Sequence, residues 1–278
     1  MKQRLSVYYA NVENMGDLLN KYIIKECFGY ETVRHTFLTG KLSGIGSGLG
    51  NFTLSDQWHI AMLERMAAVF FPEVYIWGTG FIEYKQTDSP FYKRNVKICA
   101  VRGELSKKRV ERLVGRKLDI PLGDAGLLAS YLLKERPAPK YDVGIIAHYK
   151  EQDCPEFSEL LNRFDNSIGI NVRDNPLTVV KQIAECRTII SSSLHGLIIA
   201  DSFHIPNRHI VVSDRLLGDG FKFDDYYSAY GLPHKYTDLN RERIESLDAV
   251  AAQYQVPSAA VEEIKREMIA CFPYPNLS

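Results

Sequence analysis

Short apolar runs alternate along this chain with longer stretches in which apolar residues return every three or four positions. LSVYYA (5–10), apolar but for Ser6, reads as a buried strand, and NVENMGD is a polar loop before LLNKYIIKECF, whose apolar positions recur at helical spacing. The same grammar recurs. KLSGIGSGLG (41–50) puts glycines behind a short strand, HIAMLERMAAVFF reads as a helix, and EVYIWGTG (73–80) is a strand running into glycines. VKICAVR (96–102) predicts a strand, ELSKKRVERLVG a helix stopped by glycine, and DIPLGDAGLLASYLL a strand end leading into a helix. Strands alternating with helices predict a parallel, doubly wound sheet.

KERPAPKYD (134–142), basic and with two prolines, interrupts this rhythm and reads as a linker. Beyond it VGIIAHY, SIGINV and RTIISS read as strands, with FSELLNRF, PLTVVKQIAEC and LHGLIIADSF as helices. The expected fold class is therefore α/β, with two Rossmann-like parallel-sheet domains, 1–138 and 139–240, facing a cleft. Residues 241–278 hold RERIESLDAVAAQY and SAAVEEIKREMIACF, two amphipathic segments expected to pack on the domains. Ligands of open α/β sheets bind beyond the carboxyl ends of the strands, so the chemistry is sought in the loops there.

Composition narrows the partners. With 278 residues, 45% hydrophobic and 24% charged, the chain can bury real cores, and its 34 basic and 34 acidic side chains leave no net field to attract nucleic acid. Any anion must be held locally. Five scattered cysteines form no CxxC pair, which argues against a disulfide framework or structural zinc and for a reducing, cytoplasmic setting. No apolar stretch is long enough to span a membrane. A soluble protein is expected, with peripheral contact at the inner face of a membrane left open.

Several loop residues carry candidate chemistry. In SSSLHGLIIADSF, Ser193 is placed to cap a helix starting near Leu194, which puts His195 and Gly196 in its first turn, with Ser192 beside them. The positive end of a helix keeps a histidine neutral until an anion arrives, which suits an acid/base group; the alternative is a histidine that satisfies a backbone carbonyl. Gly46, Ser47, Gly78 and Thr79 lie in glycine-rich strand ends that either approach a ligand or make tight turns. They match no dinucleotide or phosphate-loop fingerprint. Asn14 and Asp17 follow the first strand, and Asp17 caps a helix or meets a sugar hydroxyl. Arg102, at the end of its strand, binds an anion or pairs with Glu104 or another acid. His148 is a strand-end candidate, and Lys222 offers a point charge. His204, His209, His35, His59 and His234 read as structural or surface residues. No group of carboxylates or histidines calls for a metal.

Together NMGD, GIGSGLG, IWGTG, AVRGELS, PLGDAGLL, SSSLHGLIIADSFHIP and a lysine before FDDYYSAYGL make the chain resemble the polysaccharide pyruvyl transferase family. The resemblance implies a glycosyltransferase-B-like pair of domains, an N-terminal acceptor side and a C-terminal donor side. It implies transfer of pyruvate from phosphoenolpyruvate, as co-substrate and without a cofactor, to a lipid-linked, nucleotide-linked or polymeric sugar of a bacterial surface polysaccharide or capsule, with closure of a cyclic ketal. His195 matches the family's essential histidine, and Arg102 and Lys222 match basic residues implicated in binding phosphoenolpyruvate. Ser192, Ser193 and Gly196 then fall on the donor side. Asp17 becomes a hydroxyl partner, with Asn14, Gly46, Ser47, Gly78, Thr79 and His148 on the acceptor side. Many members carry arginine where this chain has Ser193, and proline where it has Ala125. Arg102, Lys222 or Lys150 is then left to supply the missing charge. The other readings are a glycosyltransferase using a nucleotide sugar and a catalytically silent scaffold in polysaccharide assembly.

Overall fold

The computed structural model describes residues 3–10, 14–85, 88–92, 96–216 and 219–276, and residues 11–13 of the first polar loop lie outside them. β1 (Arg4–Tyr8) leads to α1 (Met15–Phe28), which Gly29 ends in the left-handed conformation at φ 78°. With β2 (Glu31–His35), β3 (Leu42–Ser43), β4 (Val74–Trp77) and β5 (Val96–Ala100), β1 forms a parallel sheet in the order β2-β1-β3-β4-β5. α2 (Trp58–Ala67) crosses from β3 to β4, and α3 (Glu104–Val114) follows β5.

A second parallel sheet follows. It comprises β6 (Tyr141–Ile146), β7 (Ser167–Gly169), β8 (Cys186–Ser191), β9 (Asn207–Val211) and β10 (Tyr236–Asp238), in the order β10-β9-β8-β6-β7. Between its strands lie α4 (Pro155–Arg163), α5 (Pro176–Ala184), α6 (Leu194–Ser202) and α7 (Phe221–Ser228), and α8 (Leu247–Gln253) and α9 (Ser258–Ala270) follow. β8 sits mid-sheet with Thr188 to Ser191 buried, so consecutive side chains are covered on both faces of the sheet.

Three expectations change. GLLASYL forms a 3-10 helix, Ala125–Leu132, capped by Asp124, whose carboxylate accepts from the Gly126 N–H at 2.8 Å. This short helix packs against both α1 and α6 and so joins the two halves. RERIESLDAVAAQY is helical only from Leu247, where Ser246 accepts from the Ala249 N–H. The pattern also gives no warning of β2, β9, β10 or α7. In β2, Val33 and Arg34 are exposed on an edge strand, so no apolar run marks it.

One apolar core runs through α1, the 3-10 helix, α5, α6 and α9. α9 returns the chain to the first sheet, where the Trp77 indole N–H donates to the Met268 carbonyl at 2.8 Å. Phe272 stacks on Phe28 with ring centroids 3.7 Å apart. Among the described residues no helix is long and apolar enough to cross a membrane.

Candidate active site

Strand ends and loops of both sheets meet at a cleft of about 280 Å³. The first half supplies Tyr8, Tyr9, Asn14, Asp17, Ser47 and Thr79; the second supplies His148, Tyr149, Lys150, Ser193, His195 and Lys222. One wall is neutral and hydroxyl-rich around a single carboxyl, and the other carries the cations.

The SSS run builds the second wall. Ser191 Oγ accepts from the Ser193 N–H and donates to the Ser193 carbonyl, both at 2.9 Å, which folds the turn between β8 and α6. Ser192 Oγ accepts from the His148 N–H at 2.9 Å and so ties the end of β8 to that of β6. Ser193 holds the N-cap position as expected, but its side chain makes no capping bond. Among the described residues its hydroxyl makes no hydrogen bond, and Ser193 lines the cleft. Gly196 is buried against Ser191 and Ile146, where an added Cβ would lie 2.6 Å from Ser191 Oγ. It shapes the turn and does not line the cleft.

His195 has its Nε2 buried without a hydrogen-bond partner among the described residues. The ring lies against Gly16, where a Cβ would stand 2.0 Å from His195 Nδ1. Burial, then Lys222, Arg102 and His148, lowers its pKa to about 3, so the ligand-free imidazole is neutral at physiological pH. His148 falls to about 3 through burial, then Lys222 and Lys150. Lys222, in the first turn of α7, makes no hydrogen bond among the described residues. Its pKa drops to about 8 through burial and Arg102, against the opposing pull of Glu151 and Asp17.

Asp17 is not the cap. Asn14 fills that place, its Oδ1 accepting from the Gly16 N–H at 3.4 Å, and Asp17 turns into the cleft beneath Gly46. Burial raises its carboxyl to about 7, although the Ala10 N–H and the Asn14 side chain favour the anion. Thr79 Oγ1 accepts from the Gly48 N–H and donates to the Gly46 carbonyl, which fixes the glycine loop above it.

Arg102 does not line the cleft and pairs with another acid. Its side chain is fully buried, and its partner is Asp225 of α7, Nε to Oδ2 3.0 Å, not Glu104. The rest of the guanidinium donates to Ser47 Oγ at 2.7 Å and to the Phe81 carbonyl. Asp225 in turn accepts from Ser106 N and Oγ at 2.7 and 2.6 Å, a carboxylate seated on the N-terminus of α3. Gly103 is required there, because a Cβ would lie 1.7 Å from the Asp225 carbonyl oxygen. Arg102 is thus a joint between the walls, holding the Ser47 loop on one side and the helix of Lys222 on the other. Gly78, at φ 88°, faces Met268 and Ala125 and lies away from the cleft.

Sequence reasoning missed Tyr8, Tyr9, Asn51 and Tyr149. Tyr8 and Asn51 are joined at the cleft by an Asn51 Nδ2 to Tyr8 Oη bond of 2.8 Å. The YY pair ending the first strand was the available signal. His209 and His234, read as structural or surface residues, pair at 2.8 Å outside the cleft.

Fold and cleft together define an α/β protein with a cleft between the facing loops of two parallel sheets. The polysaccharide pyruvyl transferase family is matched over residues 7–214, and the chain belongs to that family. It is 26% identical over 272 residues to an uncharacterized protein of Acanthamoeba polyphaga mimivirus, covering 95% of this chain and 88% of that one. A functionally uncharacterized Klebsiella pneumoniae protein is similar in structure, with 15% identity, a TM-score of 0.48, and 85% of this chain and 93% of that chain covered. The E. coli heptosyltransferase WaaC with ADP-2-deoxy-2-fluoro heptose gives 11% identity, a TM-score of 0.34, and coverage of 78% and 91%.

Proposed function

We propose that this protein transfers the pyruvyl group of phosphoenolpyruvate to two hydroxyls of a sugar in a surface polysaccharide or its precursor, forming a cyclic ketal and releasing phosphate. The observation that carries the reading is the division of the cleft. Lys150, Lys222 and two histidines form one wall, and hydroxyls, amides and one carboxyl form the other, in a chain of this family.

The donor carries a carboxylate and a phosphate, so it belongs on the cationic wall. An anion there reverses the repulsion that Lys222 exerts on His195 and stabilises the imidazolium. His195 then gives its proton to the methylene carbon, and C2 becomes electrophilic. A sugar hydroxyl attacks C2 and passes its proton to Asp17, whose carboxyl titrates near the working pH. The second hydroxyl replaces phosphate at C2, and its proton leaves with the phosphate. Of the two hydroxyl protons, one balances that added to the methylene carbon and the other protonates the released phosphate. Tyr8 and Asn51, hydrogen-bonded to each other on the neutral wall, seat the sugar ring in this reading.

The test is calorimetric binding of phosphoenolpyruvate, with a panel of nucleotide sugars alongside. Saturable binding of phosphoenolpyruvate, lost in Lys222→Ala, is expected. Binding of one nucleotide sugar and none of phosphoenolpyruvate would transfer the donor chemistry to a glycosyltransferase.

A further inference from the structure

α2 is mounted with its apolar side outward. None of its residues is buried, and only Ala61, then Ala68 and Phe71 just beyond it, pack against the core. Glu64 faces inward and accepts from the Ser55 N–H at 2.8 Å. Trp58, Met62, Leu63, Met66, Val69 and Phe70 are exposed, Trp58 by 78% and Phe70 by 88%. Rings of this kind bring roughly 150–250 Å² each. These two alone therefore approach the lower end of the ~300–600 Å² that a monomer's largest apolar patch reaches. A ten-residue helix has little stability of its own and ordinarily depends on burying its apolar side.

The charges on this face select its occupant. Arg65 is exposed beside the apolar residues and has no ion-pair partner among the described residues. Among the described residues neither acid of 55–70 is free: Glu64 points inward, and Asp56 is held by Lys85 and Ser89. A second copy related by a two-fold axis would set this cationic face against itself with no acid to meet it. An anionic surface supplies the missing charge. Trp58 and Phe70 close the two ends of a strip roughly 18 Å long, at 1.5 Å per residue, and aromatic rings of this type settle at the headgroup level of a bilayer.

We infer that residues 58–70 dock the protein on a bilayer containing anionic phospholipid, lying in the plane of the interface with the apolar side chains among the headgroups and upper acyl chains. A short segment joins cleft-lining Asn51 to Trp58, so the docked face belongs to the same half of the molecule as the neutral wall. The inference does not depend on the donor or the reaction.

The two tryptophans make the test direct. Trp77 is fully buried, so changes in emission on adding vesicles report Trp58. The purified protein is mixed with phosphatidylcholine vesicles, with and without phosphatidylglycerol, and followed by sedimentation and by quenching from acyl-brominated lipid. Binding is expected to be about fivefold tighter with phosphatidylglycerol, the worth of one surface cation. A blue shift and quenching that vanish in Trp58→Phe are expected too. Leu63→Glu with Met66→Glu is expected to abolish sedimentation while leaving Tm and phosphoenolpyruvate binding unchanged. Failure to bind either vesicle, equal affinity for both, or a dimer dispersed by the same two substitutions would overturn the inference.

Discussion

His195 keeps its position because residue 16 has no side chain. Gly16→Ala would drive a methyl group into the imidazole, and displacement of a reacting group by about an ångström costs roughly 100-fold in rate. We expect that loss in kcat/KM, with overpacking costing about 1–3 kcal/mol by urea denaturation and an unchanged circular dichroism spectrum. Two groups set the pH profile. Asp17, raised to about 7, accepts a proton only when ionised, so at saturating phosphoenolpyruvate, where the bound anion holds His195 as the imidazolium, kcat should rise as pH climbs through about 7. Lys222, lowered to about 8, must be charged to hold the donor, so kcat/KM for phosphoenolpyruvate should fall above about 8. Lys222→Arg should move the upper limb out of range while leaving the lower one in place. An upper limb unmoved by that substitution would remove Lys222 from the assignment.

At the scale of elements, the buried Arg102–Asp225 pair decides where α7 sits. Removing one partner of such a pair strands a charge and costs about 3–5 kcal/mol. Asp225→Leu should show that loss in denaturant titration and weaken phosphoenolpyruvate binding, because Lys222 rides on the same helix. Adding Arg102→Met should restore much of the stability without restoring the binding. Much of this level was legible in the sequence: strands ending in glycine, the helix behind NMGD, and the histidine at the start of α6 all follow from local pattern. The partner of Arg102 was not, since Asp225 lies 123 positions away and only the folded chain brings α7 to the start of α3. Two of the edge strands, β2 and β10, were hidden for another reason: ETVRH and YTD bury too little to leave an apolar run. In α2 the period was readable, but its direction was not, because a helical repeat does not say which side the protein covers.

At the scale of the whole molecule, the proposed chemistry needs only protons, cations and hydroxyls. Phosphate release from phosphoenolpyruvate should therefore survive exhaustive dialysis against a chelator, and a loss restored by a divalent metal would require a different mechanism. The return of α9 to the first sheet bears on how the chain comes to be made. Trp77 and Phe28 wait for Met268 and Phe272, and Tyr30 for the Pro275 carbonyl at 2.8 Å. During synthesis the amino-terminal sheet is finished well before the segment that seals it, so its apolar side stays open until residues near 270 have left the ribosome. A chain stalled before α9 should bind chaperone and resist compaction in both halves, and its release should be timed by the arrival of a single late helix.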